Sequence, residues 1–173
     1  MNEVLKIICE RRSIRSYEKR QIADEELEQV LTAGKFAASA SGRQSAVFVA
    51  VQQAEMIKRL SKMNAEIMGR DTDPFYGAPT VVLVFADSSH GTHVEDGSCA
   101  LENMMIAAYS IGLGSCWIHR EKQMFETEEG KQLKKEWGVP DSCVGIGACI
   151  LGYPACEHPA AAKRKDNFVI YVK

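Results

Sequence analysis

Positive charge is concentrated in one short stretch near the start of the chain, E-R-R-S-I-R-S-Y at residues 10–17. Arg11, Arg12 and Arg15 surround Ser13 there, although the whole chain has a formal net charge of −2. Guanidinium groups beside a hydroxyl suit an oxyanion such as a phosphate, because arginine makes bidentate, charge-assisted hydrogen bonds to it. The alternative is an ordinary helix C-terminus, whose dipole attracts cations. The stretch by itself leaves both interpretations open.

A second basic patch, Lys163, Arg164 and Lys165, lies near the other end of the chain. Either patch alone is more often a solvated surface, but two that converge could hold one phosphate from two sides. The small polar loop S-A-S-G-R-Q at 39–44 could supply donors and acceptors to a planar heterocycle.

The signatures of familiar catalytic machinery are missing, since the chain has no G-x-S-x-G, no H-E-x-x-H and no P-loop. The glycine-rich stretch 145–152 has the wrong spacing for a dinucleotide fingerprint. The H-x-x-H formed by His90 and His93 lacks a third ligand nearby, so no metal site is predicted. The six cysteines form no C-x-x-C. They are interpreted as small buried hydrophobic residues in a reducing compartment.

Composition restricts the class of protein. The isoelectric point of about 6.1 argues against a general nucleic-acid binder. No apolar run reaches the roughly 18 residues that a membrane span needs, and the first residues lack a signal-peptide core. We therefore expect a cytoplasmic protein with no membrane or nucleic-acid partner. No linker or repeat divides the chain, which predicts one domain over residues 1–173.

Hydrophobic periodicity predicts a mixed sheet with helices on both faces. Asn2 and Asp24 are the expected N-caps of the first two helices. The first predicted helix begins after Asn2, and the others cover 23–37, 54–67, 98–114 and 126–138. The predicted strands cover 47–52, 80–86, 115–118, 143–154 and 168–172.

Two of these elements bear on assembly. The helix 98–114 is apolar nearly all round, which predicts burial as the spine of the fold or in a subunit interface. The last strand, 168–172, needs a neighbouring strand, within its own sheet or in a partner's.

In four stretches that follow in order, the chain resembles the nitroreductase family of FMN-dependent oxidoreductases. They are E-R-R-S-I-R-S-Y, A-A-S-A-S-G-R-Q-S-A-V-F-V-A-V, A-L-E-N-M-M-I-A-A-Y-S-I-G-L-G-S-C-W-I, and I-L-G-Y-P followed by K-R-K and a last strand. The resemblance implies an α+β fold with three layers, α/β/α, around a mixed, mostly antiparallel sheet. It also implies a homodimer in which the C-terminal strand is exchanged, with FMN at the subunit interface.

The resemblance further implies roles for single residues in FMN binding. Arg11, Arg12 and Ser13 are expected on the phosphate and ribityl side, and Arg15 at the pyrimidine edge of the ring. Lys163 and Arg164 are expected to close on the phosphate, with the choice among Lys163, Arg164 and Lys165 left open.

The ring itself is expected to meet two other segments. Ser39, Ala40 and Ser41 match a loop that the second subunit brings to the flavin, and Gln44 matches the glutamine that follows it. Ile118 is expected to pack on the ring, and the backbone N–H of His119 or Arg120 to approach the flavin N5.

The chain departs from the family pattern beside that glutamine. Gly42, Ser45 and Ala46 stand where the family often has Asn, Pro and Trp, which puts some pyrimidine-side contacts in question. His119 stands where an acidic residue or glycine is common, and we favour a backbone role for it over that of proton donor.

The expected function is hydride transfer from NADH or NADPH through FMN to a small acceptor, such as a nitroaromatic or a quinone, in a ping-pong sequence. No side chain is expected to act as a catalytic group, because the cofactor carries the chemistry. One alternative is a flavoenzyme of the same fold with different chemistry, such as a dehalogenase or dehydrogenase. The other is a non-catalytic FMN-binding protein.

Overall fold

The computed structural model describes residues 1–173 and contains one four-stranded sheet. Its helices are α1 Glu3–Glu10, α2 Asp24–Lys35, α3 Ala54–Met68, α4 His93–Ser110, α5 Glu121–Glu126 and α6 Glu128–Glu136, with a short 3-10 turn at Ala40–Gly42. Its strands are β1 Ala46–Val51, β2 Thr80–Asp87, β3 Gly114–Ile118 and β4 Cys143–Gly152.

The four strands pair antiparallel in the order β1-β2-β4-β3. One parallel bridge, between Ser13 and Ser115, adds the segment after α1 to the β3 edge. This confirms the predicted mixed, mostly antiparallel sheet. The unbroken apolar run of β2 occupies an interior position, as its composition predicted.

Helices cover both faces of the sheet and create two hydrophobic cores. Alternate residues of β2 belong to different cores, because successive side chains of a strand point to opposite faces. Val81, Leu83 and Phe85 pack with residues of α3, α5 and α6, whereas Val82 and Val84 pack with residues of α2 and α4. The predicted three-layer α/β/α arrangement is confirmed.

Several predicted helix limits were wrong. The central helix begins at His93 rather than 98 and ends at Ser110 rather than 114. Gly112, just after its end, has a φ of 83°. Asp24 is the first residue of α2, not its N-cap. The predicted helix 126–138 is α6, which begins at Glu128 because the Thr127 side chain caps it by accepting the Gly130 N–H at 3.0 Å, and the preceding helix α5 was not predicted.

Within one chain, α4 is buried on one face only. Leu101, Met104 and Ala108 face the sheet, while Glu102 and Cys99 are exposed. The prediction of burial all round does not hold inside the single chain, and the remaining surface is open.

The predicted strand 168–172 is not present in the single chain, where these residues pair with no strand. They are strongly exposed despite their apolar side chains, and Val172 reaches 95% exposure. A strand needs a partner edge to satisfy its backbone N–H and C=O groups, and the chain does not fold back to supply one.

None of the helices combines the length and apolarity that crossing a lipid bilayer requires. The prediction of buried cysteines is confirmed for Cys116, Cys143 and Cys149 only. The other three are exposed, because they lie on helix surfaces or in the C-terminal segment: Cys9, Cys99 and Cys156.

Candidate functional site

The basic segment 11–15 is fixed between α1 and β3. Asn2 caps α1 by accepting the Leu5 N–H at 2.9 Å, so the prediction for that helix start is confirmed. The helix ends at Glu10, and the next residues turn along β3, where the Ile14 N–H donates to the Ser115 carbonyl at 2.9 Å. The arginines therefore stand beside a strand of the sheet and not on a free helix end.

Three polar atoms of this region are buried without a hydrogen-bond partner: Arg11 Nη1, Arg12 Nε and Ser115 Oγ. The remaining guanidinium contacts are weak or local. Arg11 Nε lies 3.5 Å from Glu102 Oε1, and Arg12 Nη1 donates to the carbonyl of Cys9 at 2.9 Å. A buried donor without a partner is costly, so these atoms suit an additional acceptor.

Arg15 opens into a cleft of about 440 Å³, called the Arg15 cleft below. The Tyr76 ring lies opposite, with the guanidinium carbon 5.9 Å from the ring centroid. The lining residues come from segment 11–15, from the end of α3 with the loop after it, and from the end of β3: Arg15, Met68, Arg70, Thr72, Asp73, Pro74, Tyr76, Cys116, Trp117, Ile118, His119 and Arg120.

The backbone after β3 is held in an uncommon conformation at the mouth of this cleft. Asn64, fully buried in α3, donates its Nδ2 hydrogen to the His119 carbonyl at 2.7 Å. Arg120 has a φ of 87°, a left-handed conformation that costs a non-glycine residue about 1 kcal/mol. The carbonyl of His119 is thus fixed by a side chain that sequence reasoning did not single out.

Glu121, the first residue of α5, has a buried carboxyl group without a partner. The residue is completely inaccessible, and both carboxyl oxygens lack a hydrogen bond. Burial raises the pKa of Glu121 to about 8, because the charged form loses its hydration. The carboxyl next to the His119–Arg120 backbone is therefore mostly neutral at pH 7.

The loop that carries Ser39, Ala40, Ser41 and Gln44 is anchored by Asp96 of α4. The Asp96 carboxylate accepts the Ser45 hydroxyl at 2.6 Å and the Ala40 N–H at 3.0 Å. These two hydrogen bonds hold the pKa of Asp96 below its ordinary value. Since Ser45 points inward to Asp96, its departure from the family pattern has a structural role.

Two further residues of this loop take left-handed conformations. The φ angles of Ser41 and Gln44 are 55° and 52°, and the Gln44 N–H donates to Ser39 Oγ at 3.0 Å. Ser39 and Gln44 line a separate cleft of about 390 Å³ with Phe48 and Ala100. That cleft shares no residue with the Arg15 cleft.

The structure therefore brings together only part of the predicted site. Arg15, Ile118, His119 and Arg120 meet in one cleft. Lys163 and Arg164 are exposed and make no ion pair, and Lys165 lies 5.2 Å from the Phe168 ring. His90 faces Arg43 at 3.0 Å, and no three potential metal ligands come together.

Several residues that shape the site carried little signal in the sequence. Asn64 and Asp96 sit in amphipathic helices, where a polar residue is ordinarily solvated, and Glu121 opens a segment rich in charge. Only their burial, at most 5% exposed in each case, reveals their roles.

The model of the family described as "Nitroreductase family" matches residues 8–153 of the chain. The chain belongs to the nitroreductase family. An Archaeoglobus fulgidus relative, provisionally named NADH dehydrogenase/NAD(P)H nitroreductase, is 36% identical over 91% of this chain and 88% of its own. The Bacillus subtilis FMN reductase [NAD(P)H] is 38% identical over 90% of this chain and 67% of its own.

A nitroreductase of known structure gives the corresponding comparison of folds. The Bacteroides fragilis nitroreductase with bound FMN superposes with a TM-score of 0.91 and 29% identity, and each chain is covered completely. The family and the fold implied by the sequence resemblance are both confirmed.

Proposed function

We propose that this nitroreductase-family protein is an FMN-dependent oxidoreductase that takes hydride from NADH or NADPH and reduces a small acceptor, such as a nitroaromatic or a quinone. The observation that carries the proposal is the Arg15 cleft, which is lined by Arg15 together with Ile118, His119 and Arg120. The FMN in the Bacteroides fragilis structure and the name of the Bacillus subtilis relative support it.

The residues present fit an anionic cofactor. Arg11 Nη1, Arg12 Nε and Ser115 Oγ are buried hydrogen-bonding atoms without partners, beside Ser13. Phosphate and ribityl oxygens are acceptors that would satisfy them. Lys163 and Arg164 have no ion pair in the single chain and remain available for the same anion.

The chain would position the cofactor and tune it. Arg15 would lie at the pyrimidine edge, where a guanidinium stabilises negative charge. The fixed backbone at His119 and Arg120 would present N–H groups to the reactive edge of the ring. When bound, FMN supplies the two-electron chemistry through its N5 atom, so no side chain needs to act as nucleophile or general acid.

Exposed apolar surface supports a homodimer. Helix α1 has no buried residue, although Val4, Leu5 and Ile8 share one face. A monomer rarely exposes so much contiguous apolar surface, and α4 adds its open face nearby. A second copy of the chain would cover both.

The C-terminal residues 168–172 have a matching edge in the sheet. Strand β1 pairs only with β2, so its outer backbone groups are free, whereas the β3 edge is partly occupied by the Ser13 bridge. An open edge accepts an additional strand. The 168–172 segment of one subunit would pair with β1 of its partner, and the loop at Ser39–Gln44 would reach the partner's flavin.

An absorption spectrum of the purified protein, followed by anaerobic titration with NADH and NADPH, tests the proposed function. We expect a yellow protein with flavin absorbance that bleaches with either nucleotide and recovers when a quinone or nitroaromatic is added. Protein that retains no FMN would refute the proposal. Bound FMN that neither nucleotide bleaches would indicate a binding protein without this activity.

A further inference from the structure

A second cleft, of about 910 Å³, lies between α3 and the loop that leads to β2, and is called the Lys58 cleft below. Ala54, Ile57 and Pro79 give it an apolar part, while Lys19 and Lys58 contribute cations. It is larger than the Arg15 cleft, and none of its lining residues is among those expected to bind FMN.

The two clefts adjoin. Thr72 and Asp73 line both of them, so the loop carrying these residues forms their common rim. Asp73 makes this rim rigid, because its carboxylate accepts the Ser61 hydroxyl at 2.6 Å and the N–H groups of Phe75 at 2.9 Å and Gly77 at 2.6 Å. A long ligand could lie across the rim with one end in each cleft.

Cations dominate the walls of the joined clefts, although the chain has a net charge of −2. Their acidic residues are Glu55, Asp71 and Asp73, of which Asp73 is engaged by its three hydrogen bonds. Seven basic residues line the two clefts, and the first five make no ion pair: Arg15, Arg70, Arg120, Lys19, Lys58, Arg59 and Lys62. Within the Lys58 cleft itself, four basic residues face three acidic ones, and the two cations free to meet an anion there are Lys19 and Lys58.

Neutral polar groups in the Lys58 cleft suit a sugar or a base. Gln21 and Gln52 both donate their Nε2 hydrogens to Thr80 Oγ1, at 2.5 Å and 3.3 Å. This arrangement orients the two side-chain amides and leaves their carbonyl oxygens free to accept hydrogen bonds. The cleft therefore offers cations, amide acceptors and an apolar wall in one place.

We propose that the Lys58 cleft binds the pyrophosphate and adenosine part of NAD(P)H while the nicotinamide lies in the Arg15 cleft. This inference rests on the proposed function. A dinucleotide has its reactive ring at one end and its phosphates beyond it, and the joined clefts offer the same order of chemistry. Lys19 and Lys58 meet the phosphates, and the amides of Gln21 and Gln52 meet the adenosine.

A comparison of two hydride donors tests the assignment. One is NADPH or NADH, and the other is 1-benzyl-1,4-dihydronicotinamide, which lacks the phosphates and the adenosine. In the double variant Lys19→Ala with Lys58→Ala, we expect kcat/KM for the dinucleotide, divided by that for the truncated donor, to fall roughly 5-fold per lysine. Lys135→Ala, which removes an exposed lysine of α6, leaves the ratio unchanged.

Equilibrium binding gives a second measurement that does not depend on turnover. We expect the dissociation constant of 1,4,5,6-tetrahydro-NADP, which cannot donate hydride, to rise in the double variant by a similar factor. Its dependence on salt should also weaken, because two cations are lost. Retained FMN absorbance and an unchanged circular dichroism spectrum establish that the variant is folded.

An unchanged ratio together with unchanged binding of the analogue would overturn the assignment. So would an equal loss for both donors, because the truncated donor cannot reach the Lys58 cleft. Failure of the proposed function itself looks different, since neither donor would then bleach the flavin of the unaltered protein.

Discussion

At the scale of single residues, the arginines of segment 11–15 have different surroundings and therefore different expected roles. Arg11 is partly buried beside β3, with one nitrogen lacking a partner, whereas Arg15 is exposed at the mouth of a cleft. The first environment suits a fixed phosphate, and the second suits a ring edge whose charge changes.

Replacing either arginine tests whether it binds FMN. We expect Arg11→Ala and Arg15→Ala each to raise the dissociation constant of FMN about 10- to 150-fold, because a charge-assisted hydrogen bond contributes on the order of 1.5–3 kcal/mol. Fluorescence titration of the apoprotein with FMN measures it. Arg20→Ala is the matched control, since Arg20 packs over Tyr153 outside the cleft. Unchanged flavin affinity in both variants would show that these arginines are solvated charges that do not bind FMN.

Glu121 predicts an unusual dependence of stability on pH. Its pKa is about 8 in the folded protein and about 4.3 when unfolded, so the unfolded chain binds fewer protons between these values. The free energy of unfolding therefore falls as pH rises through this window, by at most about 1.4 kcal/mol per pH unit from this group. Above pH 8 the contribution levels off.

The variant Glu121→Gln should remove this slope, because the amide stays neutral. We expect nearly equal stability below about pH 4, where the group is protonated in both states, and a more stable variant at pH 8, measured by urea unfolding with saturating FMN. Glu126→Gln, on the exposed side of α5, should keep the slope of the unaltered protein. Parallel curves for Glu121→Gln and the unaltered protein would exclude a neutral Glu121.

At the scale of elements, the Asp96 side chain of α4 anchors the Ser39–Gln44 loop through Ser45. Ser45 stands where the family often has a proline, which would restrict the backbone. A proline restricts its own φ, whereas the side chain of Ser45 is held by Asp96 and its carbonyl accepts the Asp87 N–H at 3.1 Å. The loop must stay ordered while Ser41 and Gln44 occupy left-handed conformations, which cost energy. Asp96 is therefore the residue on which its geometry depends.

Asp96→Asn tests the anchor. The amide can no longer accept both hydrogen bonds as a carboxylate, so we expect a loss of about 1.5–3 kcal/mol in the free energy of unfolding and faster release of FMN. Urea unfolding and the flavin dissociation rate provide the measurements. Glu95→Gln, an exposed residue of the same helical turn, serves as the control. An unchanged dissociation rate would show that the loop does not touch the flavin.

The elements also show which features a sequence can predict. β2 and α3 were located closely, because the unbroken apolar run of β2 and the helical period of apolar residues in α3 both agree with burial. The start of α4 was missed because Gly97 and the polar residues before it weaken the helical pattern, although Gly97 packs against Ile146. The split between α5 and α6 depends on the hydroxyl of Thr127, which periodicity does not register.

At the scale of the whole molecule, the single chain leaves its assembly unfinished. The layers follow from the sequence because they depend on local hydrophobic patterns, whereas the strand order β1-β2-β4-β3 was not predicted, because strands pair over long sequence separations. The 168–172 segment behaves differently: it pairs with no strand of its own chain, and sequence periodicity cannot say where a strand will pair.

Ile170→Asp tests the exchange of the C-terminal strand. A charge at this position should weaken the dimer about 10- to 150-fold, because burying an apolar side chain of this size contributes about 1.5–3 kcal/mol. Sedimentation velocity across a concentration series measures it. Asn167→Asp adds the same charge next to the segment and should leave the dimer intact. A monomeric unaltered protein would contradict the proposed assembly.

The Arg15 cleft and the cleft lined by Ser39 and Gln44 share no residue, and this separation has a consequence for genetics. If one subunit supplies the arginines and its partner supplies the loop, a subunit altered in its arginines and a subunit altered in its loop can complement each other in a mixed dimer. A subunit with Arg15→Ala paired with a subunit altered at Ser41 would form one intact site and one doubly damaged site. Each variant alone would have two impaired sites, so co-expression would restore one of the two flavin sites in every mixed dimer through complementation between alleles.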